Sequence, residues 1–151
     1  MTLETRLFGS IEYEEEDVIT FPAGLPSFES EHKFLLLPIA GSEATLLCLQ
    51  SMTTPALSFI VMNPFSLDPT YTPILTPAER SALGVERDVD LCFYVLCAMR
   101  RPVPSSTVNM RCPVALNPDE NIAYQVILES DAYQMRHPLS EFFQSEEDGS
   151  C

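Results

Sequence analysis

The sequence predicts a mainly β protein: a single domain folded as an antiparallel barrel or sandwich, with one or two short helices. Apolar segments of strand length recur at short spacing along the chain, whereas helix-period patterns are scarce. Of the 151 residues, 46% are hydrophobic and 20% are charged, a composition typical of one globular domain. We therefore place the domain at residues 1–143, followed by an acidic tail at 144–151 that is expected to be disordered.

The predicted strands differ in how many of their faces are apolar. Ile11 and Tyr13 alternate with glutamates, which is typical of a strand with one face in solvent. Residues 90–99 (DLCFYVLCAM) are apolar on both faces, which predicts a central strand covered on both sides. Pro118 and Asp119 suit the middle of a type I turn that closes a hairpin. The other segments of strand type are residues 33–39, 45–52, 57–63, 107–111, 113–117 and 121–129.

One helix is marked by its capping residues. Thr76 is suited to cap the N-terminus, Pro77 takes the first helical position, and Glu79 completes a capping box. Gly84 follows AERSAL and is expected to end the helix. A second short helix is expected after Pro138, where apolar residues lie on one side.

The charge balance limits the classes of partner. Asp and Glu outnumber Lys and Arg by 22 to 8, which gives a net charge of −14. Such a field repels nucleic acid, whose binding requires cations to neutralise phosphates, and it favours basic partners. The apolar runs are too short for a transmembrane helix, and the N-terminus lacks the pattern of a signal peptide. We expect a cytoplasmic protein without membrane or direct nucleic-acid binding, whose core cysteines are reduced.

The sequence offers little catalytic chemistry. It contains no P-loop, no G-x-S-x-G, no H-E-x-x-H and no C-x-x-C, and its five glycines form no phosphate-cradling loop. The expectation is therefore a protein without a catalytic site, cofactor or metal. An enzyme that uses Cys48 or Cys112 with one of the two histidines, His32 and His137, stays open as an alternative.

Six segments of the chain carry a recognisable pattern in this order: TRLFG (5–9), VITFPAGLPSF (18–28), LQSMTTPALSFIVMNPF (49–65), ERDVDLCFYVL (86–96), TVNMRCPVALN (107–117) and AYQVILESDAYQMRHPL (123–139). Together they resemble the bacterial flagellar assembly factor FliW family. Two positions depart from the family pattern, because Ser27 stands where the family usually has Gly and Cys112 stands where Ala is usual. If the family position requires a positive φ, Ser27 is strained there in a way that Gly is not.

The resemblance implies a small, non-catalytic binding protein with a barrel-like antiparallel fold. FliW-like proteins bind CsrA, a basic homodimer that represses translation by binding mRNA, and they bind flagellin in alternation with it. The acid excess fits such a partner, and the protein is expected to be a monomer on its own. A second hypothesis is a nucleic-acid mimic that blocks another basic regulator. That hypothesis requires carboxylates in regular rows, whereas the acids outside residues 12–17 are scattered.

The candidate partner-binding residues fall in three stretches of different chemistry. For the acidic stretch a solvated turn is favoured over an electrostatic docking site, and the arginine of the third stretch is expected to bind an acidic group of the same chain rather than one on a partner. The second stretch opens a connection, residues 64–77, whose four prolines argue against a regular helix or a central strand. Its apolar side chains suit the core and an interface equally. The candidates are Glu14, Glu15, Glu16 and Asp17; Asn63, Pro64, Phe65 and Tyr71; and Arg136 and His137.

A proline-broken loop near the N-terminus also carries unusual apolar surface. Leu25 and Phe28 follow Pro22 and Gly24, where a surface loop would normally be polar. Loops with apolar anchors usually pack on the domain, so both side chains are expected to close one end of the barrel.

Overall fold

The computed structural model describes residues 1–39, 46–102 and 105–142. The predicted tail at 144–151 lies outside these residues. Within them, the α-helices α1 (Pro64–Leu67) and α2 (Pro77–Leu83) and the 3-10 helices Glu15–Asp17 and Asp88–Asp90 accompany eleven strands. Residues 140–142 are also helical, in the segment after Pro138 where a second short helix is expected. No helix in this part of the chain is long and apolar enough to cross a membrane. The strands are β1 (Thr2–Thr5), β2 (Gly9–Glu12), β3 (Ile19–Thr20), β4 (Lys33–Pro38), β5 (Leu47–Ser51), β6 (Ser58–Met62), β7 (Cys92–Ala98), β8 (Thr107–Val108), β9 (Val114–Asn117), β10 (Ile122–Gln125) and β11 (His137–Pro138).

Seven of the strands close into a barrel, in the order β7-β6-β5-β4-β3-β10-β9, because β9 pairs back with β7. The prediction of a mainly β, barrel-like fold is confirmed. All pairs in the barrel are antiparallel except β3 with β10, which join in parallel through Thr20 and Ile122. Strands β8 and β11 extend the sheet beyond β7, and β1 with β2 forms a separate hairpin.

The barrel divides the apolar side chains into two clusters. The inner cluster contains Phe21 and Phe34, both fully buried, whose rings meet edge to face with centroids 5.1 Å apart. The outer cluster lies between the barrel wall, the helices and the segment that follows β10. Strand β7 contributes Val95 to the outer cluster and Leu96 to the inner one. The prediction that this strand is covered on both faces is therefore confirmed.

The caps of α2 are those predicted. The Glu79 N–H donates to Thr76 Oγ1 at 3.2 Å, and the Thr76 N–H donates to Glu79 Oε1 at 2.8 Å. Gly84 ends the helix in the left-handed region, at a φ of 76°. The predicted hairpin also forms, since β9 and β10 pair across the turn at residues 118–121.

The proline-rich connection differs from the prediction. Residues 64–67 form the single turn α1, although the four prolines argued against a regular helix there. Pro64 occupies the first helical position, where its missing N–H has no partner to lose, and Pro69 comes only after the helix has ended. Asn63 caps the turn, because its Oδ1 accepts the Phe65 N–H at 2.9 Å.

The two apolar side chains of the proline-broken loop, residues 21–28, differ in burial. Leu25 is buried at the end of the inner cluster, as expected. The same expectation is wrong for Phe28, which is 38% exposed and contacts the ring of Phe59 edge to face at 5.4 Å. Because the chain reverses between these residues, one side chain points into the barrel and the other lies on its rim.

Ser27 sits at the strained position of this reversal. The Phe28 N–H donates to Leu25 O at 2.7 Å, which closes a turn with Pro26 second and Ser27 third. Ser27 has a φ of 70°, as the third residue of a type II turn requires, and glycine is the residue that adopts this φ without a steric cost.

Ser27→Gly is therefore expected to raise the stability by about 1 kcal/mol and the melting temperature by about 2–4 °C. The measurement is thermal unfolding beside Ser27→Ala, which retains the β-carbon. An equal gain in both variants would contradict backbone strain as the cause.

Candidate functional site

The predicted acidic stretch is a tight, exposed turn. Glu14 precedes the 3-10 helix, and its N–H donates to Asp17 Oδ2 at 2.9 Å. The side chain of Asn121 donates to the Glu16 carbonyl oxygen, which ties the turn to the β9–β10 hairpin. Within the described ranges, none of the four carboxylates from 14 to 17 forms an ion pair. Their charges consequently face solvent and any approaching partner.

The second predicted stretch borders an open apolar groove of about 460 Å³. Phe65 forms part of its wall, is 40% exposed, and contacts Tyr71 and Phe93 edge to face, with centroids 5.7 and 6.2 Å away. The groove is hence a surface depression with an aromatic floor. We call it the Val89 groove; its lining residues are Phe65, Tyr71, Thr72, Pro73, Ile74, Asp88, Val89, Leu91 and Phe93.

Tyr71 forms the floor of the Val89 groove and is itself buried. Its hydroxyl donates to the Met110 carbonyl oxygen at 2.6 Å, and its ring lies 4.6 Å from that of Tyr133. Burial raises the pKa of Tyr71 well above its usual range, so the hydroxyl stays protonated. Pro64 is also buried, and Asn63 caps α1, so these two residues position Phe65.

The third predicted stretch includes the start of β11, where His137 lies opposite Val108 of β8. His137 Nε2 accepts the Gln134 N–H at 2.8 Å, which leaves Nδ1 to donate to Glu141 Oε2 at 2.7 Å. Arg136 is exposed, and its guanidinium forms no ion pair with an acid in residues 1–39, 46–102 or 105–142. The two neighbours therefore differ: His137 is engaged by its own chain, and Arg136 faces solvent.

Two exposed apolar residues of the site do not appear among the sequence candidates. Ile74 is 65% exposed and Val89 is 80% exposed, and both line the Val89 groove. The available signals are weak: Ile74 stands between Pro73 and Leu75, and Val89 stands between two aspartates. An isolated apolar residue between two acids is compatible with a buried position in a turn and equally with an exposed one. Only the folded structure distinguishes these two possibilities.

The buried thiols are poorly suited to nucleophilic chemistry. Desolvation by burial raises the pKa of Cys48 and of Cys112, which disfavours the reactive thiolate. In the part of the chain that the structure covers, no three His, Cys, Asp or Glu side chains are grouped as a metal site requires. The arrangement instead offers an apolar groove and unpaired carboxylates, which are means of binding another macromolecule.

Fold and surface together define a small β-barrel domain with a solvent-open apolar groove, and comparison with known proteins places it in a family. The family model described as "FliW protein" matches residues 2–139. The flagellar assembly factor FliW of Geobacillus sp. (strain WCH70) is 33% identical over 139 residues, which cover 92% of this chain and 95% of that protein. The protein of the same name from Syntrophomonas wolfei is 35% identical over 147 residues, covering 97% and 94%.

The solved structures agree. The crystal structure of a flagellar assembly factor FliW superimposes with a TM-score of 0.83 at 33% identity, covering 92% of this chain and 96% of that one. The chain belongs to the FliW family.

Proposed function

We propose that this protein is a non-enzymatic regulator of flagellar assembly that binds CsrA, weakens its hold on RNA, and binds flagellin in alternation with it. The observation that carries the proposal is the Val89 groove, an open apolar surface on a family member whose net charge is −14. Large exposed apolar patches on soluble proteins usually mark interaction sites. The contact residues proposed are those of the three stretches, with Glu14, Glu15, Glu16, Asp17, Phe65 and Arg136 exposed.

Charge explains how binding would antagonise RNA. A basic RNA-binding dimer is steered toward an acidic protein, and the unpaired carboxylates of residues 14–17 add to that attraction. Once bound, the acidic protein places its negative field beside the RNA-binding surface of the dimer. RNA affinity depends on phosphate neutralisation, so the complex holds RNA more weakly even where the RNA contacts stay uncovered.

Alternation with flagellin follows if the two partners overlap on this surface. A groove of about 460 Å³ accommodates a few side chains of one segment, so two segments exclude each other there. Flagellin that accumulates in the cytoplasm would occupy the protein and leave CsrA free to repress. Export of flagellin would release the protein to capture CsrA, and translation would resume.

The test is a titration of labelled leader RNA with purified CsrA, with and without this protein. We expect saturating protein to weaken RNA binding, and association with CsrA to slow as salt rises from ~50 to ~500 mM, because the charges are screened. In a second arm, preloading with flagellin is expected to restore RNA binding. RNA affinity that stays unchanged at saturating protein would overturn the proposal.

A further inference from the structure

We infer that His137 is a pH-sensitive clasp, which holds the segment 129–136 on the domain while its ring is neutral and releases it when the ring is protonated. The ring is bonded on both sides: Nε2 accepts the Gln134 N–H at 2.8 Å, and Nδ1 lies 2.7 Å from Glu141 Oε2. A backbone N–H can only donate, so Nε2 must offer its lone pair and the ring must be neutral, with its proton on Nδ1. The structure therefore shows the closed state of the clasp.

Protonation removes the acceptor on which the turn at residues 134–137 depends. An imidazolium ring has two N–H donors and no free lone pair, so Nε2 and the backbone of Gln134 would point protons at each other. The hydrogen bond must then break, and the Gln134 N–H must turn to water.

The groups that face the ring oppose one another. Glu141, whose carboxylate contacts Nδ1, stabilises a positive ring. Strand β8, which pairs with His137, contributes no titratable side chain, and Arg136, the preceding residue, is exposed to solvent. The Gln134 N–H alone requires the neutral ring, so a change in proton concentration shifts the balance between the closed and the open turn.

The clasped segment has few other attachments to the domain. Seven of the residues 129–136 are exposed, and Tyr133 is partly buried. Gln134 O accepts two backbone N–H groups of the connection between β8 and β9, each at 3.2 Å, and an exposed ion pair at 3.8 Å adds little. Leu128 and Leu139 are buried on either side of the segment. The segment can consequently open locally while the rest of the domain stays folded.

Opening would act on the Val89 groove through Tyr133, which immediately precedes the clasped Gln134. The Tyr133 ring lies 4.6 Å from that of Tyr71, and its Oη accepts the Thr72 N–H at 2.7 Å. Tyr71 and Thr72 both line the groove. Loosening of the segment in acid would free the Thr72 N–H and uncover one side of the Tyr71 ring. The shape of the groove would then depend on pH, whatever partner it binds.

His32, the other histidine of the chain, lacks this arrangement and provides an internal control. Its Nδ1 lies 2.9 Å from Phe21 O, and a carbonyl oxygen can only accept, so Nδ1 donates. Nδ1 carries a proton in this tautomer and also in the charged ring. Protonation of His32 therefore leaves its bond intact.

The experiment is an NMR titration of the full chain from about pH 8 to about pH 5, the range in which histidine usually changes its charge. We expect the amide signals of Gln134 and Thr72 to shift along the same curve as the ring signals of His137. Hydrogen exchange at both amides, relative to the intrinsic rate at each pH, is expected to accelerate roughly tenfold, as loss of one hydrogen bond allows. His32→Gln is expected to leave these changes as they are.

Two variants distinguish the clasp from a merely structural role of the ring. His137→Gln offers an amide oxygen as acceptor but does not titrate, so the Gln134 and Thr72 signals should stay still as the pH falls. Glu141→Gln removes the carboxylate that stabilises the charged ring, so the midpoint should move to lower pH.

The unaltered protein decides the matter even if a variant fails to fold. A His137 ring that stays neutral down to about pH 5, or that changes charge while the amide of Gln134 or of Thr72 does not respond, would overturn the clasp. So would a folded His137→Gln protein in which both amides still titrate.

Discussion

Gly24→Ala is expected to lower the free energy of unfolding by about 3 kcal/mol or more, and the melting temperature by about 6–12 °C. Gly24 has a φ of +68°, and a β-carbon there would lie 2.6 Å from the Glu29 carbonyl oxygen and 2.7 Å from its Cα. These are backbone atoms, which cannot rotate away as the end of a side chain can. The variant must therefore distort the loop that carries Leu25 into the barrel. Thermal or denaturant unfolding measures the effect.

Gly9 provides the matched control for this substitution. Its φ is +67°, nearly the same, yet a β-carbon at Gly9 would meet no atom within 4 Å. Gly9→Ala is consequently expected to show only the cost of the left-handed backbone, about 1 kcal/mol. The difference between the two variants isolates the contact with Glu29. Equal melting of both would mean that the loop yields without cost, contrary to the packing described.

Where one local pattern determines a feature, the sequence predicts it correctly. The ends of α2 depend on Thr76, Glu79 and Gly84, which act through bonds to their own neighbours and need no distant contact. The burial of β7 on both faces follows from its apolar residues on both parities, since exposing either face in water would be unfavourable.

Features that depend on distant contacts are harder to predict. The choice of a barrel over a sandwich is decided by the pairing of β9 with β7 and by the parallel pair of β3 with β10, both between residues far apart in sequence. Patterns within a strand contain no information about which strand will be its neighbour. The resemblance to the FliW family, rather than any local pattern, indicated a barrel-like fold.

The exposure of individual residues in the candidate site also depends on distant contacts and is hard to predict from the sequence. Phe65 and Tyr71 are both aromatic residues of one proline-rich connection, and the sequence treats core and interface as equal for them. In the structure the two residues differ in exposure. Tyr71 is buried with its hydroxyl bonded to Met110 O, while Phe65 is partly exposed at the wall of the Val89 groove. The exposure of Ile74 and Val89 depends on how their segments pack in the folded domain, and no pattern in the neighbouring residues indicates it.

Phe65→Ala is expected to weaken CsrA binding about thirtyfold, equivalent to about 2 kcal/mol, because Phe65 is an aromatic anchor at the groove wall. The substitution also removes edge-to-face contacts with Tyr71 and Phe93, so a stability loss of about 2 kcal/mol is expected. A protein of ordinary stability remains folded after such a loss, and calorimetric titration at 25 °C then reports binding alone.

Phe28→Ala is the control that separates a loss of binding from a loss of stability. Phe28 matches Phe65 in residue type and in exposure, at 38% against 40%. Phe28 contacts one ring, that of Phe59, and does not line the Val89 groove. Its removal is expected to cost a similar amount of stability while CsrA binding stays within about twofold. If Phe28→Ala abolished binding and Phe65→Ala did not, the partner would dock at the proline-broken loop, and the exposure of Phe28 would be functional. If both variants bound normally, neither aromatic side chain would anchor the partner.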